Sequence, residues 1–133
     1  MSGKTIPEAF KPLFTGKTFA QMATLNADGS PQVTPVWVDL DGDEILVNTA
    51  KGRVKDRNVR RNPVVTLSLQ DPENAYRYIS VQGRVTTIVE QGAVAHIDKL
   101  AQRYMEVEKY PYIKPGDVRQ ILTIVPERIH TMG

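Results

Sequence analysis

The sequence predicts a mainly β protein: a six-stranded antiparallel barrel with helices packed against it. Short apolar segments are joined by the turn signals Asp28-Gly29 and Asp41-Gly42, which are typical of β-hairpins. A longer β segment, 76–89, contains Gly83, and a glycine bend in a long strand is what the corner of a barrel requires. Segments of helical periodicity lie between the strands and would cover the barrel.

The predicted strands are bounded by turn residues or by segments of helical periodicity. The first three should form an antiparallel meander, because two tight turns connect them. Pro126 should end the last strand, since proline has no N–H to donate to a neighbouring strand. In chain order the predicted strands are Phe19 to Asn26, Gln32 to Leu40, Glu44 to Asn48, Val64 to Leu69, Tyr76 to Val89 and Val118 to Val125.

Two helices are predicted between strands, and a short third one precedes the first strand. Val54 to Arg61 follows a strand and ends before Pro63, so it should form a short helix. Gln91 to about Glu106 carries apolar residues at helical spacing and should be amphipathic. Pro7 to Phe14 should form one or two helical turns, and Tyr110 to Gly116 should be a loop.

Composition indicates an ordinary globular protein. A chain of 133 residues, 41% hydrophobic and 24% charged, suits one domain over residues 1–133. It contains no cysteine, which excludes disulfides and thiol chemistry. No apolar run approaches the roughly 18 residues of a membrane span, and the first residues lack the apolar core of a signal peptide. We therefore expect a cytoplasmic protein.

The segment from Asn48 to Arg61 is the strongest candidate for a binding site. Lys51 to Arg61 holds six of the seventeen Lys and Arg residues, although the net charge of the chain is only +2. These cations crowd the start of the predicted helix, where the helix dipole favours acids, so helix stability does not explain them. Free backbone N–H groups together with Lys51, Arg53 and Lys55 predict an anion site, above all for phosphate. The alternative is a solvated basic helix face.

The usual catalytic motifs do not occur in this sequence. It contains no zinc-binding His-Glu-x-x-His, no glycine-rich nucleotide motif and no Gly-x-Ser-x-Gly. Both histidines stand alone, and His96 is interpreted as a surface or boundary residue. The sequence thus predicts neither a metal site nor a catalytic side chain, and any reaction would depend on a bound cofactor.

Two aromatic segments fit a flat anionic cofactor. Pro35-Val36-Trp37 lies within a predicted strand, where the proline would leave nearby backbone groups free for a ligand. Tyr76-Arg77-Tyr78 places two aromatic rings on one face of the long strand. Packing in the core or at a dimer interface explains Trp37 as well, and cross-strand packing explains the tyrosines.

Taken together, these motifs resemble the flavin/deazaflavin split-barrel family related to pyridoxamine 5'-phosphate oxidase. The similarity extends from about Phe19 to Arg128 and depends on the order and spacing of short motifs. They are Phe19-Ala20-x-Met22-Ala23-Thr24-Leu25, Asp28-Gly29-Ser30-Pro31, Pro35-Val36-Trp37, Asn48-Thr49-Ala50-x-Gly52-Arg53-x-Lys55-x-x-Asn58-x-x-Arg61-x-Pro63 and Tyr76-Arg77-Tyr78-x-x-x-x-Gly83-Arg84-Val85.

This resemblance implies a split barrel, a homodimer and a cofactor bound in a groove between the subunits. Arg53 and Lys55 would hold the cofactor phosphate, and Lys51 could reach the phosphate or an acidic tail. Tyr76 and Tyr78 would come from the partner subunit. The other implied cofactor-binding residues are Asn48, Thr49, Ala50, Gly52 and Asn58 around the phosphate and Pro35, Val36 and Trp37 along the ring.

Within the family, the sequence resembles the branch that uses the deazaflavin coenzyme F420. Enzymes of the family that use flavin mononucleotide (FMN) carry a motif similar to Arg-x-x-x-Leu-Lys on the second strand. The corresponding segment of this chain, Thr34 to Asp39, is neutral or acidic. The resemblance implies hydride transfer from reduced deazaflavin to an unsaturated acceptor such as a quinone, enone or tetrapyrrole. Alternatives are an FMN oxidase or reductase, a non-catalytic carrier of the deazaflavin, and, last, a nucleic-acid binder that uses Lys51 to Arg61.

Overall fold

The computed structural model describes residues 3–133, and its main element is a seven-stranded sheet. The prediction of a mainly β fold is confirmed. The strands are β1 (Ala20–Leu25), β2 (Pro31–Val36), β3 (Asp39–Asp41), β4 (Glu44–Ala50), β5 (Val64–Asp71), β6 (Asn74–Val89) and β7 (Arg119–Met132). The helices are a 3-10 turn (Glu8–Phe10), α1 (Lys11–Thr15), α2 (Val54–Arg61) and α3 (Ala93–Met105).

The sheet is antiparallel throughout and curls back on itself. Its strand order is β2-β1-β5-β6-β7-β4-β3, so β2 and β3 lie at opposite edges. Only Trp37 and Val38 separate Val36, the end of β2, from Asp39, the start of β3. Three peptide units span at most about 11 Å, so the two edges must approach each other at this point. The result is a split barrel, in which the chain itself connects the two edge strands.

The predicted number of strands and the predicted meander were wrong. Gln32 to Leu40 was predicted as one strand, but it divides at Trp37 into β2 and β3. The chain therefore forms two separate hairpins, β1–β2 and β3–β4, and β4 continues the sheet by pairing with β7. The sequence around Trp37 continues the β pattern, and nothing local in it indicates that the chain crosses between edges.

The predicted end of the last strand was also wrong, because β7 continues through Pro126 to Met132. Pro126 lies opposite Gly83, at a shift in register between Gln82 and Gly83. Such an irregularity tolerates a residue that has no N–H to donate. The carbonyl of Pro126 still accepts a hydrogen bond from the Lys4 N–H at 2.8 Å. The bulge predicted at Gly83 is confirmed.

Gly83 also makes a close backbone approach that excludes a side chain. A Cβ atom at this position would lie 2.6 Å from the carbonyl oxygen of Val125 and 2.9 Å from Cγ2 of Ile124. We expect Gly83→Ala to lower the free energy of unfolding by about 2 kcal/mol, because a packed sheet must shift to accept it. Urea denaturation would measure the change. The exposed neighbour Gln82→Ala is the control, and equal effects of the two substitutions would contradict the steric argument.

The helices cover the barrel and bring side chains to its split. Phe10, Leu13 and Phe14 from the N-terminal turns are buried in the core, as their spacing predicted. The predicted helix from Gln91 to about Glu106 is confirmed as α3, whose buried side Ile97 and Leu100 help to form. Within residues 3–133, no helix combines the length and apolar character needed to cross a membrane.

Candidate functional site

A cavity of about 160 Å³ lies at the end of the barrel where β2, β4 and β7 meet the start of α2. Pairing of β4 with β7 sets Ala50 opposite Arg119 and Thr49 opposite Gln120, which brings residues far apart in sequence to one place. The lining residues are Phe19, Pro35, Val36, Trp37, Asn48, Thr49, Arg53, Lys55, Ile97, Tyr110 and Arg119. This list contains three cations and no Asp, Glu or His.

The turn between β4 and α2 is built so that the helix begins at the cavity. Gly52 has a φ of +90°, a conformation that glycine adopts without strain. Its N–H donates to Oδ2 of Asp56 at 2.8 Å, so a residue in the first helical turn closes the connection. Burial would raise the pKa of Asp56, but hydrogen bonds from Gly52, Gln120 and Arg60 hold that pKa below its usual value. The ionised carboxylate thereby fixes the turn that carries Arg53.

The six cations of Lys51 to Arg61 fall into two groups. Arg53 and Lys55 line the cavity. The other four bind groups of the same chain: Lys51 lies 3.4 Å from Glu90, Arg57 donates to the Gly52 carbonyl, Arg60 to Asp56 and Gln120, and Arg61 to the Leu25 carbonyl. The solvated-face interpretation therefore applies to part of this segment, and the anion-site interpretation to the start of α2.

The cations of the cavity repel one another. Burial and the nearby charges of Arg53 and Arg119 lower the pKa of the Lys55 ammonium. Burial likewise lowers the pKa of Arg119, and Arg53 adds to the effect, whereas Tyr110 and Asp117 oppose it. Like charges gathered in a concave site raise the local concentration of anions. The electrostatics of the cavity thus favour a ligand with negative charge.

Two residues that line the cavity each carry a buried polar atom without a hydrogen-bond partner among residues 3–133. The atoms are Nη1 of Arg119 and Oγ1 of Thr49, and the two residues are only 5% and 3% exposed. Leaving such groups unpaired away from water costs about 1–3 kcal/mol each, and more for a charged one. A bound oxygen-rich anion would supply the acceptor that Arg119 lacks, so the three cations of the cavity fit a cofactor with a phosphate.

A chain of hydrogen bonds behind the cavity fixes the orientation of Arg119. Its Nε donates to Oδ1 of Asn48 at 2.9 Å. The Asn48 amide nitrogen donates to the Ala93 carbonyl at 2.8 Å and faces Nδ1 of His96 at 3.2 Å. On the other side of the ring, Nε2 of His96 lies 3.1 Å from Oδ2 of Asp39. This pattern places the His96 proton on Nε2 and connects the cavity to a buried carboxylate.

That carboxylate, Asp39, joins α3 to the edge of the sheet. Besides His96, it binds Arg103 at 2.9 Å and Lys99 at 3.3 Å, and it is 3% exposed. Burial would raise its pKa, yet hydrogen bonds from His96 and Arg103 hold the pKa far below the usual range. The sequence interpretation of Asp39 as a turn residue and of His96 as a surface or boundary residue missed this network.

Aromatic side chains seal the split of the barrel beside the cavity. Trp37 stacks on Tyr104 of α3, with ring centroids 5.0 Å apart and planes 6° apart. The Tyr104 hydroxyl donates to the Thr18 carbonyl at 2.7 Å and accepts from the Val38 N–H at 3.2 Å. Helix α3 therefore satisfies backbone groups of the crossing segment, and the indole of Trp37 forms a rigid wall.

The structure brings together about half of the predicted cofactor-binding residues. Pro35, Val36, Trp37, Asn48, Thr49, Arg53 and Lys55 all line the cavity. Ala50 is the last residue of β4, and Lys51 and Gly52 are in the turn that follows it.

The other three predicted residues lie away from the cavity. Asn58 is buried and donates to Thr24 and Asn26, both at 3.0 Å, so in this chain its amide ties α2 to the strand below it. Tyr76 is 84% exposed, and Tyr78 lines a separate groove that shares only Phe19 with the cavity.

Sequence reasoning missed several lining residues, of which Arg119 is the most important. It begins β7, and Tyr110 and Ile97 come from the loop and the helix before that strand. A cation shortly before the mainly apolar segment 121–125 was a visible signal. Its place next to Ala50 depends on the pairing of β4 with β7, which no local pattern reports.

Comparison with known proteins identifies the family. Residues 6–133 match the pyridoxamine 5'-phosphate oxidase family, and the chain belongs to it. A solved structure described as an F420 reductase is 33% identical, with 94% of this chain and 98% of that chain covered and a TM-score of 0.82. The family predicted from the sequence motifs is thereby confirmed.

More distant structures share the fold. A conserved hypothetical protein from Mycobacterium tuberculosis is 24% identical over 99% of this chain and 88% of its own, with a TM-score of 0.71. A heme storage protein from Vibrio cholerae is 15% identical over 98% of this chain and 96% of its own, with a TM-score of 0.68. Because such different proteins share the barrel, the fold alone does not decide the ligand.

Proposed function

We propose that this protein is an oxidoreductase that uses the deazaflavin coenzyme F420 to reduce an unsaturated small molecule. The observation that carries the proposal is the cavity in which Arg53, Lys55 and Arg119 gather without a carboxylate, next to the indole of Trp37. The similarity to an F420 reductase at 33% identity supports the deazaflavin over other cofactors of the family. In addition, the sequence of β2, Pro31–Val36, holds no Lys or Arg that could serve a flavin ring.

The residues of this chain would bind and orient the cofactor. Arg53 and Lys55 would hold the phosphodiester at the start of α2, and Pro35, Val36 and Trp37 would line the ring and keep water from one side of it. When bound, the reduced deazaflavin supplies a hydride, and an acceptor such as an enone, quinone or tetrapyrrole takes up that hydride and a proton from solvent. The contribution of the protein is positioning and exclusion of water.

The size of the cavity supports a homodimer as the functional unit. About 160 Å³ is well below the roughly 300–1,000 Å³ of sites that enclose a drug-sized ligand. A single chain would therefore enclose the phosphate end, and the ring would extend past the half-exposed Phe19 onto an open surface. A second subunit would supply the missing wall, with the exposed Tyr76 and the neighbouring Tyr78 as its contacts.

Titration of the purified protein with oxidised deazaflavin, reduced deazaflavin and FMN tests the cofactor. We expect both deazaflavin forms to bind more tightly than FMN, as measured by the fluorescence of each cofactor. Reduced deazaflavin should then be reoxidised when a quinone, an enone or a tetrapyrrole is added, which its absorbance would report. Tight binding of FMN without binding of either deazaflavin form would contradict the proposal and favour a flavin enzyme.

One feature of the cavity also favours a carrier of the deazaflavin. None of the lining residues is an acid or a histidine, so no obvious proton-transferring group faces the ring. A carrier would bind both deazaflavin forms but give no reoxidation with any acceptor of the panel. Binding and turnover measured on the same preparation therefore separate the two functions.

A further inference from the structure

Arg119 carries a charge and a hydrogen-bond donor that the structure leaves without an acceptor. Its Nε is held by Asn48, and its guanidinium carbon lies 5.3 Å above the centre of the Tyr110 ring. Its Nη1 is buried without a partner among residues 3–133 although the nitrogen belongs to a cation. Because Asn48 and Tyr110 hold the side chain from two sides, little rotational entropy would be lost when a ligand binds.

Arg53 and Lys55 line the same cavity from the start of α2. Cations therefore reach it from the beginning of β7 and from the beginning of the helix. Thr49 pairs with Gln120 rather than with Arg119, so the alternation of side chains along β4 directs its hydroxyl to the other face of the sheet.

The number and charge of these donors select the class of ligand. Three cations offer more donors than the two oxygens of a carboxylate can accept. A phosphoryl group offers tetrahedrally arranged oxygens, and bidentate contact with a guanidinium is a favoured way of binding it. The small volume of the cavity suits such a group better than a ring.

We propose that Arg119 binds the phosphoryl group of the ligand together with Arg53 and Lys55. This inference rests on the proposed function and deepens it, because it assigns the anchoring group of the cofactor to a residue from β7. Both a phosphodiester, as in the deazaflavin, and a phosphate monoester, as in FMN, contain this group. The test must therefore separate the anion from the cofactor that carries it.

Inorganic phosphate is the first probe, used with the full chain. Phosphate should raise the melting temperature relative to sodium chloride of equal ionic strength, and acetate should not. In Arg119→Gln the affinity for phosphate should fall roughly ten- to hundredfold, which corresponds to one charge-assisted contact. Arg119→Lys keeps the charge but loses the planar guanidinium that can make two parallel hydrogen bonds, so its affinity for phosphate should be intermediate. The control is Arg128→Gln, an exposed arginine of the same strand, which should bind phosphate like the unchanged protein.

Other outcomes would overturn the inference. Equal phosphate affinity in Arg119→Gln and Arg128→Gln would mean that Arg119 does not bind the anion, and equal stabilisation by acetate would remove the preference for phosphoryl groups. If the Arg119 variants do not fold, the unchanged protein still decides. Phosphate should then shift the side-chain NMR signal of the Arg119 Nε–H, and no shift at saturation would contradict the contact.

Titrations with the deazaflavin and with FMN distinguish this inference from the proposed function. If phosphate binding depends on Arg119 but neither cofactor binds, the anion site stands and the proposed function fails. If a cofactor binds equally well to the Arg119→Gln variant and the unchanged protein, the proposed cofactor stands and the inference fails. If phosphate binding depends on Arg119 and a cofactor also binds, the cofactor whose affinity falls in the Arg119→Gln variant is the source of the phosphoryl group.

Discussion

Simultaneous replacement of Arg53 and Lys55 by alanine is expected to weaken deazaflavin binding by at least about a hundredfold. Each side chain lines the cavity, and a charge-assisted contact is worth about 1.5–3 kcal/mol. The two effects need not add, because both residues would contact one phosphate. Titration of the double variant and of the unchanged protein at physiological ionic strength would measure the loss.

The matched control is Arg57→Ala with Arg61→Ala, which removes the same number of positive charges from α2 itself. Neither residue lines the cavity, and both donate to backbone carbonyls instead. Salt screens charges beyond about 8 Å at physiological ionic strength, so this pair should change affinity only slightly. An equal loss in both double variants would show that general attraction, rather than a phosphate site at the start of α2, causes the binding.

The unliganded Arg53 and Lys55 double variant should be no less stable than the unchanged protein. Burial and repulsion from Arg53 and Arg119 lower the pKa of Lys55, which means that the free protein holds these charges at a cost. Removing two of the three positive charges relieves this repulsion. A binding site that strains the free protein in this way is typical of residues kept for function. Thermal unfolding without ligand would measure this effect, and a marked loss of stability would indicate a structural role for the pair.

Asp39→Asn is expected to lower the free energy of unfolding by about 3–5 kcal/mol, because it leaves the mostly buried Arg103 guanidinium without its carboxylate. Asp39 binds Arg103, Lys99 and His96, and its side chain is 5% exposed. Such a loss is a large part of the 5–15 kcal/mol that typically stabilises a domain. Chemical denaturation would measure it. Asp41→Asn on the same short strand is the control, since that residue is exposed and its replacement should stay within about 0.5 kcal/mol.

The same carboxylate should make stability depend on pH in one direction. The folded-state pKa of Asp39 lies far below that of the unfolded chain, which is about 3.9. Its stabilising contribution is therefore complete above about pH 5 and is lost as the pH falls through 4 toward the folded-state value. The Asp39→Asn variant should lose less stability than the unchanged protein between pH 5 and the acid limit. Parallel pH dependence of the two proteins would contradict this assignment.

Local features of the sequence predicted much of the fold and part of the site. Turn residues and periodicity gave α2, α3 and both hairpins, because such elements depend on neighbours in sequence. Helix stability does not explain the cations at the start of α2, and this indicated Arg53 and Lys55 as anion-binding residues. The strand through Trp37 and the strand through Pro126 were misjudged, because a crossing between sheet edges and a bulge are decided by distant partners.

The parts of the site that were missed all depend on long-range pairing. Arg119 reaches the cavity only because β7 pairs with β4, and its orientation requires Asn48 and His96 from two further elements. His96 stands alone in sequence, and its role appears only when α3 packs over the split. A functional residue held through a chain of contacts leaves no short motif to find.

The cavity lies beside Trp37, one of the two residues that connect β2 to β3, and a ligand bound in it should affect how long the protein persists in a cell. A ligand in this cavity would fasten three distant parts of the chain together: the ends of β2 and β4 and the beginning of β7. Binding at a hundred times the dissociation constant adds about 2.7 kcal/mol to the resistance against unfolding. Molecules that hold such a ligand would outlast empty ones under proteolysis, so the supply of the ligand would set how much of the protein persists.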